Sequence, residues 1–283
     1  HGLENTIHIS EVDMVIEGEH EGLTEFPSIV AGPVEEQIAE SIVDRMTNGA
    51  CIQLGVGGMP DAIGKLIAES ELKDLGIHTE LLVNAYLDMH KAGKITNLNK
   101  HDIMRGKSVF SIAHGTKELF DWIADNPSMC CAPINYVNDL SVIGEIDNFV
   151  SINSCIAVDL FGQISAESAG TRHISGTGGQ LDFLTAGFKN PRAQSFIALP
   201  STYTDKKGNL HSNIKPTFTG GDIITDPRSQ AYTMVTEYGI ENLAGASVWE
   251  RAEKLISLAH PDFREELIES AKKVNVWRQS NKR

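Results

Sequence analysis

Two periodicities alternate along the first half of this chain. Val34 to Asn48 places apolar residues at Val34, Ile38, Ile42, Val43 and Met46, the spacing of one helix face, and Gly49 closes the run. Cys51-Ile52-Gln53-Leu54 is a short apolar run that stops at glycines, and Pro60 opens a helix predicted to reach about Leu72. Gly76 to Val83 reads as the next strand, followed by a helix that ends near Gly93, a residue suited to the left-handed position after a helix. Ser108 to Ala113 and Lys117 to Ala124 repeat strand and helix. Strands that alternate with helices point to an α/β domain.

The texture changes after about residue 148. Asn148 to Leu160 alternates apolar and polar, Phe161-Gly162 reads as a turn, and Gln163 to Glu167 returns as a second strand. Ser195 to Pro200 is another strand, Lys207-Gly208-Asn209 a tight turn, and Tyr232 to Glu237 a further strand. Two helices, Ser247 to Ala259 and Pro261 to Val274, close the chain. Residues 1–33 are acidic and punctuated by Gly and Pro, and are read as a strand and a linker. Residues 34–283 then form one domain containing antiparallel hairpins.

The net charge of −14 argues against nucleic acid, because such binding depends on clustered Lys and Arg that neutralise phosphates. It leaves room for a small phosphorylated ligand held by backbone N–H groups at glycine turns and helix N-termini. No apolar stretch approaches the roughly 18 residues of a membrane span, so no membrane association is expected. Cys51, Cys130, Cys131 and Cys155 form no Cys-x-x-Cys pair and are read as reduced packing residues of a cytoplasmic protein. His8, His20, His90, His101, His114, His211 and His260 show no ligating spacing, so no metal is expected. The sequence starts at His1 without Met, and on that ground it is expected to begin inside a longer polypeptide.

Three segments carry candidate chemistry. Gly55-Val56-Gly57-Gly58-Met59-Pro60-Asp61 lies between a strand and a helix, where glycines let backbone approach a ligand and the helix start offers free N–H donors. It is neither a dinucleotide fingerprint nor a P-loop, and from the motif alone a plain tight strand-to-helix turn is the favoured reading. Glu80 sits inside a strand expected to be buried, where a carboxylate is costly unless it is paired or functional. An outward-facing Glu is the alternative. His78, two residues earlier on the same face, is either an orienting group or a structural one. The third segment runs from Ser151-Ile152-Asn153 through Glu167 to Gly176-Thr177-Gly178-Gly179-Gln180-Leu181-Asp182-Phe183. Two glycine-rich loops outside the standard nucleotide motifs suit a long ligand touched at several places. Glu167 is the rival carboxylate, read as structural or supporting, while Arg172 and His173 are either phosphate contacts or surface residues.

In this order and spacing the segments resemble the acetyl-CoA hydrolase/transferase family, and most closely its 4-hydroxybutyrate and butyryl-CoA:acetate CoA-transferase branch. Ala92-Gly93-Lys94-Ile95-Thr96-Asn97, Gly162-Gln163 and Val235-Thr236-Glu237-Tyr238-Gly239-Ile240 carry it beyond those segments, so it covers nearly the whole chain. The resemblance implies an open mixed-sheet CoA-transferase-type α/β domain, with Glu80 as the nucleophile. It implies coenzyme A contacts at Gly55, Val56, Gly57, Gly58 and Met59, at Asn153, and at Gly176, Gly178 and Gly179. Coenzyme A would be substrate and covalent thioester intermediate, with no permanently bound cofactor. The expected partners are an acyl-CoA, a short-chain carboxylate and the family's N-terminal half, which this chain lacks. A homo-oligomer is also expected. On this reading a side chain added at Gly57 or Gly58 would obstruct the thioester. The alternatives are an acyl-CoA hydrolase using the same glutamate and a non-catalytic CoA-binding module.

Overall fold

The carboxyl ends of seven parallel strands of an eight-stranded sheet frame one face of the molecule, seen in a computed structural model that describes residues 1–19, 21–230 and 233–282. His20 and Tyr232, the latter the expected start of a strand, lie outside those residues.

Helix α1 (Pro33–Val43) is followed by β1 (Cys51–Leu54), α2 (Gly58–Glu69), β2 (Gly76–Val83), α3 (Asn84–Lys91), β3 (Ser108–His114), α4 (Lys117–Ile123) and β4 (Met129–Cys131). Two short helices, α5 (Ile134–Val137) and α6 (Leu140–Gly144), lead to β5 (Phe149–Ser154). Small hairpin pieces come next: β6 (Ala157–Asp159), β7 (Ile164–Ser165), β8 (Ser168–Ala169) and β9 (Arg172–His173). The rest comprises α7 (Gln180–Lys189), β10 (Gln194–Ala198), β11 (Thr202–Thr204), β12 (Leu210–Ser212), β13 (Ile214–Lys215), β14 (Thr233–Thr236), β15 (Gly239–Asn242), α8 (Val248–Ser257) and α9 (Pro261–Lys273).

The large sheet runs β15-β14-β10-β5-β1-β2-β3-β4, parallel except for the antiparallel edge pair β14–β15. A parallel sheet is covered on both faces, and its strands accordingly read as continuous apolar runs. β1 is buried along its whole length. Helix α1 turns Ile38, Ala39 and Ile42 inward, and α2 packs so closely on α3 that a Cβ at Gly64 would strike Ala85. From β1 the chain builds outward to β4 and then crosses back to β5 on the other side of β1. Such a reversal opens a crevice at the carboxyl ends of the strands on either side of it.

The mixed α/β architecture with antiparallel hairpins agrees with the sequence reading, and several elements differ from it. The strand expected within residues 1–33 does not form among the described residues. That segment holds one 3-10 turn, Ile9–Glu11, and a single bridge from Gly2 to Cys131. Ile7, Ile9, Met14, Val15 and Ile16 are exposed there, with no neighbouring strand to pair with. The run from Asn148 to Leu160 is two strands: β5 joins the large sheet, while β6 turns away after Cys155-Ile156 to pair with β7 and β13. Helix α1 stops at Val43, five residues short of the predicted end, and α2 starts at Gly58, ahead of Pro60.

Candidate active site

Register aligns three residues across the crevice. β1 pairs with β2 as Cys51–Gly76 and Ile52–Ile77, an offset of 25 residues, which sets Glu80 level with Gly55, the first residue past β1. β5 pairs with β1 as Leu54–Ile152, which sets Asn153 level with the same glycine. Gly55, Glu80 and Asn153 thus form a row at the ends of three neighbouring strands. All three line a cavity of about 450 Å³, together with Val56, Glu167, Gly176, Gly178, Gly179 and Gln180.

The Glu80 side chain is gripped from one side. Asn138, the residue that ends α5, donates its Nδ2 to Glu80 Oε2 at 2.9 Å. The same amide nitrogen lies 3.5 Å from Asp182 Oδ2 on α7. Burial raises the Asp182 carboxyl above its ordinary value, with the Asn138 hydrogen bond opposing and the neighbouring Glu80 charge adding to the rise. Gly179 backs directly against this pair: a Cβ there would overlap both Glu80 Oε2 and Asn138 Nδ2. Glycine is the one residue that lets α7 begin this close to the carboxylate.

His78 faces the same side of β2, is fully buried, and bonds the Val137 carbonyl through Nε2 at 2.8 Å. Burial pushes its pKa down to about 3, Lys100 lowers it further and the Val137 carbonyl opposes, so the ring is neutral. It does not bond Glu80. Instead it holds the end of α5, whose next residue, Asn138, does.

Asn153 and Gln53 form a reciprocal amide pair, each nitrogen 3.0 Å from the other's oxygen. Asn153 is 5% exposed, and a Cβ on Gly55 would stand 3.1 Å from its Oδ1. The Gly55 N–H is already committed to the Ile152 carbonyl at 2.8 Å. The N–H groups of Val56 and Gly57 meet no acceptor among the described residues. Gly57 caps α2 with φ +117°, a conformation open to glycine and strained for other residues.

Of the residues expected from sequence, the cavity brings together Glu80, Gly55, Val56, Asn153, Gly176, Gly178 and Gly179. Gly57, Gly58 and Met59 do not line it. Met59, on α2, is buried in the core, and a Cβ on Gly58 would meet Ile29 Cγ2 at 3.3 Å. Among the described residues no group of three or more His, Cys, Asp or Glu is arranged to hold a metal. No helix among them is long and apolar enough to cross a membrane. Asn138 escaped the sequence reading, because a capping position at the end of a four-residue helix leaves no periodic signal, while Gln53 and Asp182 were read only as members of longer segments, with no role of their own.

Comparison with known proteins identifies the family and the fold. Residues 115–271 match the acetyl-CoA hydrolase/transferase C-terminal domain. The chain is 52% identical over 282 residues to the butyryl-CoA:acetate CoA-transferase of Anaerostipes caccae, covering 99% of this chain and 63% of that protein. The crystal structure of RipA from Yersinia pestis superposes with a TM-score of 0.88 at 40% identity, covering 97% of this chain and 60% of that one. The 4-hydroxybutyrate CoA-transferase of Porphyromonas gingivalis gives a TM-score of 0.79 at 36% identity, covering 96% and 63%. The chain spans about three fifths of the length of the curated relatives it matches.

Proposed function

Because the chain belongs to the acetyl-CoA hydrolase/transferase family, we propose that its cavity binds an acyl-CoA and that Glu80 attacks the thioester carbonyl. The observation that carries this reading is the row of Gly55, Glu80 and Asn153, with Glu80 Oε2 tied to Asn138. One carboxylate oxygen is anchored, which leaves Oε1 to attack.

Attack by Oε1 expels the CoA thiolate and leaves an acyl-glutamyl anhydride. The thiolate then adds to the glutamyl carbonyl, releasing the free acid and leaving a glutamyl-CoA thioester. An incoming short-chain carboxylate runs the sequence in reverse, so the thioester bond passes to a new acyl group without hydrolysis. Each addition places negative charge on a carbonyl oxygen. The uncommitted N–H group of Val56, which lines the cavity, and that of Gly57, the next residue, are the donors the first loop can supply. Asn138 supports the same chemistry by fixing the carboxylate's rotamer before attack. Butyrate, acetate and 4-hydroxybutyrate are the acids we assign to the substrate class, following the names of the relatives. Full activity is assigned to a longer polypeptide in which the family's N-terminal half covers this face, working as a homo-oligomer in the cytoplasm.

The test separates transfer from hydrolysis. With butyryl-CoA and acetate, acetyl-CoA is expected to form in step with butyrate, and free CoA thiol is expected to stay near background. Thiol release that does not depend on acetate would assign the site to a hydrolase. No turnover of either kind in the longer polypeptide would leave only a CoA-binding module.

A further inference from the structure

Outside the Glu80 grip, two buried carboxylates reach the same loop from one small frame. Glu167, 7% exposed, stands on the bend between β7 and β8. Its main-chain carbonyl accepts from the N–H groups of Ile174 and Ser175, at 2.8 and 3.3 Å. Its carboxylate Oε2 accepts from Thr177 Oγ1 at 3.1 Å. Three residues further along, Gln180 Nε2 donates to Asp226 Oδ2 at 2.6 Å, and Asp226 is fully buried.

The two acids belong to one piece of structure. Ile164 donates to the Asp226 carbonyl at 3.1 Å, Thr225 donates back to Ile164 at 2.8 Å, and Ala166 donates to Thr225 Oγ1 at 2.9 Å. Between the two anchored residues lie Gly178 and Gly179. A Cβ on Gly178 would stand 3.7 Å from Glu80 Oε1, and one on Gly179 would overlap Oε2. A loop of glycines has high conformational freedom in isolation, so its distance from the nucleophile must be set by what holds its ends.

We propose that Glu167 is a positioning residue: with Asp226 it clamps the Ile174–Gln180 loop at both ends and fixes Gly178 and Gly179 against the reacting carboxylate. This rests on the transferase reading for its consequence and on the hydrogen bonds alone for its structure. A carboxylate suits the role because a charged acceptor bonds a hydroxyl such as that of Thr177 more strongly than a neutral one.

Amide hydrogen exchange, read peptide by peptide with transfer kinetics alongside, tests the clamp. Glu167→Ala and Thr177→Val should each speed exchange in residues 174–179 on the order of tenfold and leave residues 76–83 unchanged. Thr177→Ser, which keeps the hydroxyl, should restore wild-type protection, and the double variant should exchange no faster than either single variant. In the transferring enzyme kcat should fall on the order of tenfold with KM for acyl-CoA within about threefold, because the main loss is alignment of the loop against Glu80. Unchanged exchange in both single variants, or additive effects in the double, would overturn the clamp. Loosening of the loop in a protein whose wild type transfers no CoA would sustain the clamp and overturn the transferase reading instead.

Discussion

Gly179 lies so close to Glu80 that no side chain fits between the start of α7 and the carboxylate. Gly179→Ala should therefore displace either Glu80 or Asn138, whose amide occupies the same space. Misplacement of a reacting group by about 1 Å costs on the order of 10²-fold. The expected outcome is a loss of kcat of about that size, with a far-UV circular dichroism spectrum matching wild type. A folded variant with wild-type kcat would show that the contact has no part in the reaction.

The two glycines that flank the first loop should behave differently. A methyl at Gly55 presses on Asn153 Oδ1 at 3.1 Å and disturbs the Gln53–Asn153 amide pair beneath the cavity. A side chain at Gly58 meets Ile29, which is 58% exposed and free to shift. Gly55→Ala should lower kcat by about tenfold, whereas Gly58→Ala should stay within about threefold of wild type. Steady-state kinetics on the pair decides it; the reverse order would place the reacting carbonyl at Gly58, as the sequence reading expected.

Asp226 gives the fold a pH signature. Burial raises its pKa to about 6; the Gln180 hydrogen bond opposes the rise and the Glu167 charge adds to it. A carboxyl that binds its proton more tightly when folded stabilises the protein at low pH and loses that advantage as pH climbs from about 4 to about 6. Asp226→Asn keeps an oxygen acceptor for Gln180 and carries no charge. Its Tm should exceed that of wild type by several degrees (about 3–8 °C) at pH 7.5, and the gap should close towards pH 4.5. Thermal melts across that range check it. A gap that does not vary with pH would show that Asp226 is not the titrating group.

Much of the site was legible because parallel strands leave a strong signal. β2 was read with both ends correct, and Glu80 was noticed because a carboxylate inside an apolar strand is costly. Gly55 was found because glycines mark where a strand gives way to a helix. What escaped depends on contacts remote in sequence. Asn138 is 58 residues from Glu80, and the helix it ends is too short to show a period. Gln53 sits within an apolar run, and only its pairing with Asn153, 100 residues away, explains a polar side chain there. Helix α7 was hidden behind the glycines that precede it. The break between β5 and β6 sends two consecutive strands to different sheets, which alternation along a single segment does not reveal.

The central claim is that Glu80 carries the covalent intermediate. A glutamyl-CoA thioester is far more readily reduced by borohydride than a free carboxylate. The enzyme, in the longest polypeptide that transfers CoA, is incubated with acyl-CoA, treated with borohydride, and mapped by peptide mass spectrometry. Reduction is expected at residue 80 alone, only when acyl-CoA is present, and in step with loss of activity. Glu80→Gln should fold, neither transfer nor label, and so serve as the blank. Reduction at Glu167 in place of Glu80, or CoA transfer that survives in Glu80→Gln, would contradict the assignment.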